Sequence, residues 1–218
     1  RNKYRKAIKT FKRVVERTNE TLGFQNQAIN DLVLAYSEID GGWEEMRDYF
    51  LEIRDQKFTY EKLGKIVSLY EGQGKDHQAI EVYHYFIDNR PNHRRIPTWM
   101  ENIIKARKKI ADFKKTEKAI NKYVAYLSRD GTWWKKNKGN KGPRNNAKLL
   151  CQASLAFLDN KYHRRGQKHG ENADYRKAVG YYKQYIDRWP DDPASFDMNF
   201  FLAEIYLHDL DDFQQSAK

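Results

Sequence analysis

The chain has 218 residues, the length of one domain or one run of stacked repeats. It carries 41 Lys and Arg against 30 Asp and Glu, a net charge of +11, and its mean hydropathy is −0.98. Aromatics at 14% exclude general disorder, and the lone Cys151 excludes a disulfide scaffold or a Cys-cluster zinc site.

Helical patterns follow one another along the chain, marked by apolar residues at i, i+4, i+7 and i+8. Tyr4, Ala7, Phe11, Val14 and Val15 form the first stripe, and Ile29, Leu32, Val33 and Tyr36 the second. Trp43, Met46 and Phe50 mark a third. Leu63, Ile66, Val67 and Tyr70 mark a fourth, with Gly72 and Gly74 as its stop. Ala79, Tyr83, Phe86 and Ile87 come next, ended by Pro91, and then Met100, Ile103, Ile104 and Ile110. Phe113, Ala119, Tyr123, Tyr126 and Leu127 precede the first break in the pattern. After it, Tyr175, Ala178, Tyr182 and Tyr185 lead to Pro190, followed by Phe200, Phe201, Ile205 and Tyr206. Phe213-Gln214-Gln215-Ser216 begins a sixth copy of the order "aromatic, two polar residues, small residue". The small residue suits close helix approach, with a neighbour's bulky side chain filling the gap.

This order resembles the tetratricopeptide repeat (TPR) family, most closely from Tyr60 to Pro91 through Leu63, Val67, Tyr70, Ala79, Tyr83 and Phe86. The resemblance implies an all-α, right-handed superhelical solenoid of antiparallel helix pairs, about five repeats with insertions. Residues 1–218 then form a single solenoid segment, expected to belong to a longer protein because the chain starts without Met inside a helical pattern. Spacings between small residues depart from the family's period, and the step from Ala119 to Ala178 requires a large insertion. A narrower likeness lies in Tyr181-Tyr182-Lys183-Gln184-Tyr185-Ile186-Asp187-Arg188-Trp189-Pro190 and Leu202-Ala203-Glu204-Ile205-Tyr206. It resembles repeats of bacterial cell-envelope proteins, namely outer-membrane assembly lipoproteins, Tol–Pal coordinators and gliding-motility proteins. That likeness implies a periplasmic or envelope setting, with the cytoplasm as the alternative.

Two stretches break the pattern. Residues 129–146 hold Trp133, Trp134, Lys135, Lys136, Lys138, Lys141 and Arg144 among glycines and asparagines, and read as a basic insertion loop. Either the tryptophans anchor that loop on the core, or they and the cations bind a polyanion or glycan. Residues 160–172 read as a second basic insertion between two helices of one repeat. Its His163 and His169 lack the company a metal site needs, so no metal or cofactor is expected.

Catalytic residues are expected to be absent. Cys151 sits in an apolar helical pattern and reads as a buried thiol, and no phosphate-cradling glycine loop is present. The acid pairs Glu44-Glu45, Asp191-Asp192 and Asp211-Asp212 fall near helix starts, where negative charge is favoured. Family resemblance places the first helix of each pair on the binding face, with Gln27, Asn30, Leu34, Glu61, Ser68, Glu71, Glu101, Lys105, Lys108 and Lys109 outward. The family's clamp for acidic C-terminal peptides does not fit, since Gly64 and Ser68 stand at clamp-like places. The reading is a non-catalytic scaffold that binds a protein partner, the alternative being a polyanion or glycan binder built on Lys105–Lys148. Nucleic acid is disfavoured by the acidic blocks and by the lack of a recognition motif. Further repeats or self-association are expected at the ends.

Overall fold

A computed structural model describes residues 2–17 and 23–210. Among them every regular element is helical and no strand occurs. The helices are α1 (Asn2–Arg17), α2 (Gly23–Ser37), α3 (Gly42–Ile53), α4 (Gln56–Gly72), α5 (Asp76–Asn89) and α6 (Ile96–Lys109). They continue as α7 (Phe113–Tyr126), α8 (Thr132–Lys136), α9 (Lys141–His169), α10 (Asn172–Arg188) and α11 (Pro193–Glu204), closed by a π-helical turn over Ile205–Asp209. The sixth copy at Phe213–Ser216 lies outside the described residues. The chain divides into two compact units, Arg1–Pro91 with Lys105–Ala111, and Asn92–Ile104 with Asp112–Lys218.

In the first unit α2 packs on α1, α3 and α4, and α4 packs on α3 and α5. First helices therefore touch both their own partner and the next first helix, the arrangement of stacked helix pairs. The apolar stripes explain it. Leu32, Tyr36, Met46, Phe50, Leu63, Ile66 and Ala79 are each fully buried, and they recur at helical spacing. Met46, although larger than the usual small residue, occupies its place without exposure. Ala79 lets the rings of the α4/α5 pair close over the crossing: Tyr60 stacks on Phe86 at 5.5 Å between centroids, and Arg90 lies 3.4 Å above Tyr60. Asp55 caps α4 by accepting from Phe58 N at 2.7 Å.

In the second unit α9 packs on α7 and α10, and α10 on α11. A polar cluster ties three of these helices together. Glu117 of α7 accepts from Tyr162 Oη of α9 at 2.7 Å and from Tyr181 Oη of α10 at 2.8 Å. Lys177 Nζ donates to Tyr162 Oη at 3.0 Å, and Asn121 Nδ2 donates to Tyr181 Oη at 3.1 Å. Burial and the neighbouring Glu117 carboxylate push both phenols above the usual tyrosine range.

Both stretches expected to be loops are largely helical. Residues 129–146 contain α8 and the start of α9. Pro143 falls in the first turn of α9, where its missing N–H is no loss. Residues 160–172 mostly continue α9, which runs to His169 with only Gly170 and Glu171 before α10. The buried stripe Leu155, Leu158, Tyr162 and Gly166 persists through them at spacings of three and four, while Arg164 and Lys168 stay outside. Gly170 ends the helix at φ 68°, its N–H bonded to Gly166 O at 2.7 Å. The wide step between Ala119 and Ala178 is thus filled by a short extra helix and one long one.

Candidate binding faces

Two arrangements collect the exposed functional groups. The first lies on α2 and α4. Lys65 Nζ donates to Asn30 Oδ1 at 3.0 Å, so the outer faces of these two helices adjoin. Gln27, Asn30 and Leu34 of α2 are exposed beside Glu61, Lys65 and Ser68 of α4. Leu34 keeps 47% of its surface in water, a ready apolar contact within a polar face. Gln27 Nε2 is spent on Asp31 at 3.0 Å, and Ser68 Oγ donates to Gly64 O at 3.1 Å. Packing of α2 on α4 places these residues on neighbouring helices. Lys105, Lys108 and Lys109 are exposed at the C-terminal end of α6, in the same compact unit. Lys109 Nζ lies 3.6 Å from Asp76 Oδ1 at the start of α5. Lys65 was missed in the sequence because nothing in its own helix marks it; its role comes from the neighbour thirty-five positions away.

The second arrangement separates the two adjacent tryptophans. Trp133 is buried at 1% exposure, and its Nε1 donates to His93 O at 2.9 Å. Asn137, also buried, donates to Asn92 O at 3.1 Å and to Trp133 O at 3.0 Å. Trp133 therefore anchors the core and offers no stacking face. Trp134 is half-buried, with the Arg144 guanidinium 4.3 Å from its ring centroid. Arg144 also donates to Lys138 O at 3.3 Å. Lys135, Lys136, Lys138 and Lys141 are exposed. A cavity of about 370 Å³ opens beside Trp134, joined by Arg129 and Lys148.

Groups that could do chemistry are explained structurally. Cys151 is buried, and burial pushes its thiol up to about 12. Asp192 caps α11, accepting from Ala194 N at 3.2 Å, and Glu44 and Glu45 lie in the first turn of α3. Among the described residues no group of three or more His, Cys, Asp or Glu could hold a metal ion, and no helix is long and apolar enough to cross a membrane.

The geometry defines a class: an all-α protein of TPR-like helix pairs. Residues 61–93, covering α4 from Glu61 onward with the whole of α5, match the family model of the tetratricopeptide repeat. The match supports reading this helix pair as a tetratricopeptide repeat, and such repeats generally mediate protein–protein interaction. No curated protein is similar to the chain.

Proposed function

We propose that the protein is a non-catalytic scaffold that holds a segment of a partner protein on the adjoining outer faces of α2 and α4, with the lysines of α6 contributing, within a bacterial cell-envelope assembly. The Lys65–Asn30 bond carries this reading, because it adjoins two first helices and leaves a face of polar groups around the exposed Leu34. The envelope setting rests on the likeness of Tyr181–Pro190 and Leu202–Tyr206 to envelope repeats; a cytoplasmic setting is its alternative.

The test replaces Asn30, Glu61, Lys105 and Lys108 together by Ala. All four are exposed, so folding is expected to survive, as circular dichroism would report. Proteins retained from extracts of the source cells by the native chain are expected to fall about tenfold or more on the variant, which corresponds to roughly 1.4 kcal/mol. Equal retention overturns the assignment of this face. Fractionation of source cells with an antibody is expected to place the protein in the envelope fraction, and recovery in the cytosol alone would end that part of the reading.

A further inference from the structure

We infer that the cavity beside Trp134 is a second binding site, one that takes an acidic peptide segment of a partner protein with an apolar side chain set among its carboxylates. None of its residues is shared with the α2 and α4 face, so it stands or falls separately from that reading.

The cavity is assembled from four places in the chain: the turn after α7, α8, the first turns of α9 and the end of α10. Its lining includes buried Leu127, Ala147 and Cys151, together with half-buried Trp134 and Trp189. Ser128, Arg129, Asp130, Lys148, Asp187 and Arg188 complete it, so a recess of about 370 Å³, the size of one or two large side chains, sets apolar surface among charged groups. A shallower basin adjoins it through Arg129, Trp134 and Lys148, and adds Lys141 and Arg144. Arg129, Lys141, Arg144 and Lys148 thus share one rim, and no carboxylate lines the basin.

Most of this charge is not neutralised by a carboxylate. Among the described residues Arg129, Lys141 and Arg144 have no carboxylate partner, and Lys148 reaches only Asp192, at 3.8 Å. Arg144 is held in place by its contact with Trp134 and by its bond to Lys138 O, so part of the rim is already ordered before any ligand arrives. Arginine presents a planar fork suited to carboxylates, and apolar surface set beside such cations selects a ligand that carries both features.

A nucleic-acid strand fits less well. Asp130 and Asp187 line the recess together with Arg129, Lys148 and Arg188 and would repel a phosphate entering it, whereas a peptide can place an uncharged side chain there and its carboxylates on the rim. Of the two half-buried tryptophans, Trp134 already carries Arg144 near its ring and Trp189 is packed against Tyr185 at 4.9 Å between centroids, while Trp133 is buried, so an open platform for successive bases is missing at this site.

The experiment uses fluorescence anisotropy on the full chain at about 150 mM salt, near physiological ionic strength. The probe is a fluorescein-labelled Asp-Glu-Phe-Glu-Asp peptide; a second peptide carries Gly in place of Phe, and a single-stranded oligothymidine serves as the phosphate chain. The native chain is expected to bind the Phe peptide, and the Gly peptide about tenfold more weakly. Arg129→Glu with Lys141→Glu is expected to lose about tenfold or more, and Trp134→Ala a similar amount. Lys136→Glu with Lys138→Glu, exposed cations of the same stretch outside both lining sets, is expected to stay within about twofold. No binding of the Phe peptide overturns the proposal, as does equal loss in the two charge variants, which would mean diffuse attraction alone. Tighter binding of the oligothymidine, displaced by salt and abolished by the Arg129 and Lys141 changes, overturns it in favour of a nucleic-acid site.

Discussion

Asp159 sits on the buried side of α9, and its Oδ2 has no hydrogen-bond partner. Burial pushes its carboxyl up to about 7, opposed only by a backbone N–H from Asn160. The folded chain therefore holds a proton that the unfolded chain releases near the ordinary carboxylate value. Stability from this proton is full below about pH 4 and is lost as pH rises through about 7, where both states become ionised. Asp159→Asn removes the ionisation, so urea unfolding is expected to show it more stable than the native chain by about 1–3 kcal/mol at pH 8. The gap should close towards pH 4, and a gap independent of pH would refute this account. Ala111 illustrates a different local cost. It follows α6 at φ 60°, the left-handed region, with its N–H bonded to Lys108 O at 3.1 Å. A side chain there costs about 1 kcal/mol relative to glycine, so Ala111→Gly is expected to raise thermal stability by about that amount. No change in calorimetric melting would mean that the unfolded chain's greater freedom cancels the relief.

At the scale of the element, α9 and α10 show what the small residue is for. A Cβ on Gly166 would stand 2.8 Å from the ring of buried Tyr175, closer than side-chain carbons pack. Gly166→Ala is therefore expected to lower stability by about 1–2 kcal/mol, although alanine favours a helix by about 1 kcal/mol. Gly180 is the matched control, since a Cβ on this exposed glycine of α10 meets nothing within 4 Å. Gly180→Ala should gain about 0.5–1 kcal/mol in urea unfolding, and equal effects at both positions would show that crowding at Tyr175 is not the determinant. Gly166 also explains where the sequence misleads. A glycine among Arg164, Arg165, Lys168 and His169 looks like a loop marker, because composition registers the solvated face of α9 and hides the buried one. The period of Leu155, Leu158 and Tyr162 was there to be read, but it crosses the boundary at which charge density rises. Pro143 misleads in the same way, since its effect depends on lying in the first turn rather than within the helix. Where apolar spacing and punctuation agree, as from Leu63 through Gly74 to Pro91, the helix pair was fully legible, and it is the pair that matches the family model.

For the whole molecule, charge was legible as a regional property but not as a site. Residues 101–148 carry a net +11 and residues 186–218 a net −6, so one stretch balances the total. Which of its cations converge depends on tertiary structure: Arg129 and Lys148 gather at Trp134 from different elements, whereas Lys135, Lys136 and Lys138 line neither part of that cavity. The tryptophans carried two readings, core anchor or binding group, and burial of Trp133 with its Nε1 donating to His93 O selects the anchor for that one, while Trp134 beside it on the same short helix stays half-buried. A net +11 still attracts polyanions without any site, through release of condensed counterions. Changing Lys135, Lys136 and Lys138 to Glu takes the net charge from +11 to +5, since each exchange removes two positive charges. At roughly 20 mM salt the native chain is expected to associate weakly with duplex DNA, with an affinity that falls as a power of salt concentration. Each lost phosphate contact lowers that slope by about 0.9, so the triple variant should show a slope smaller by about 2–3. The three lysines are exposed, so urea unfolding should stay within about 0.5 kcal/mol per site. An unchanged slope would mean that the cations around Trp134, not the exposed run Lys135–Lys138, make the phosphate contacts, and would turn the net charge from a diffuse property into a local one.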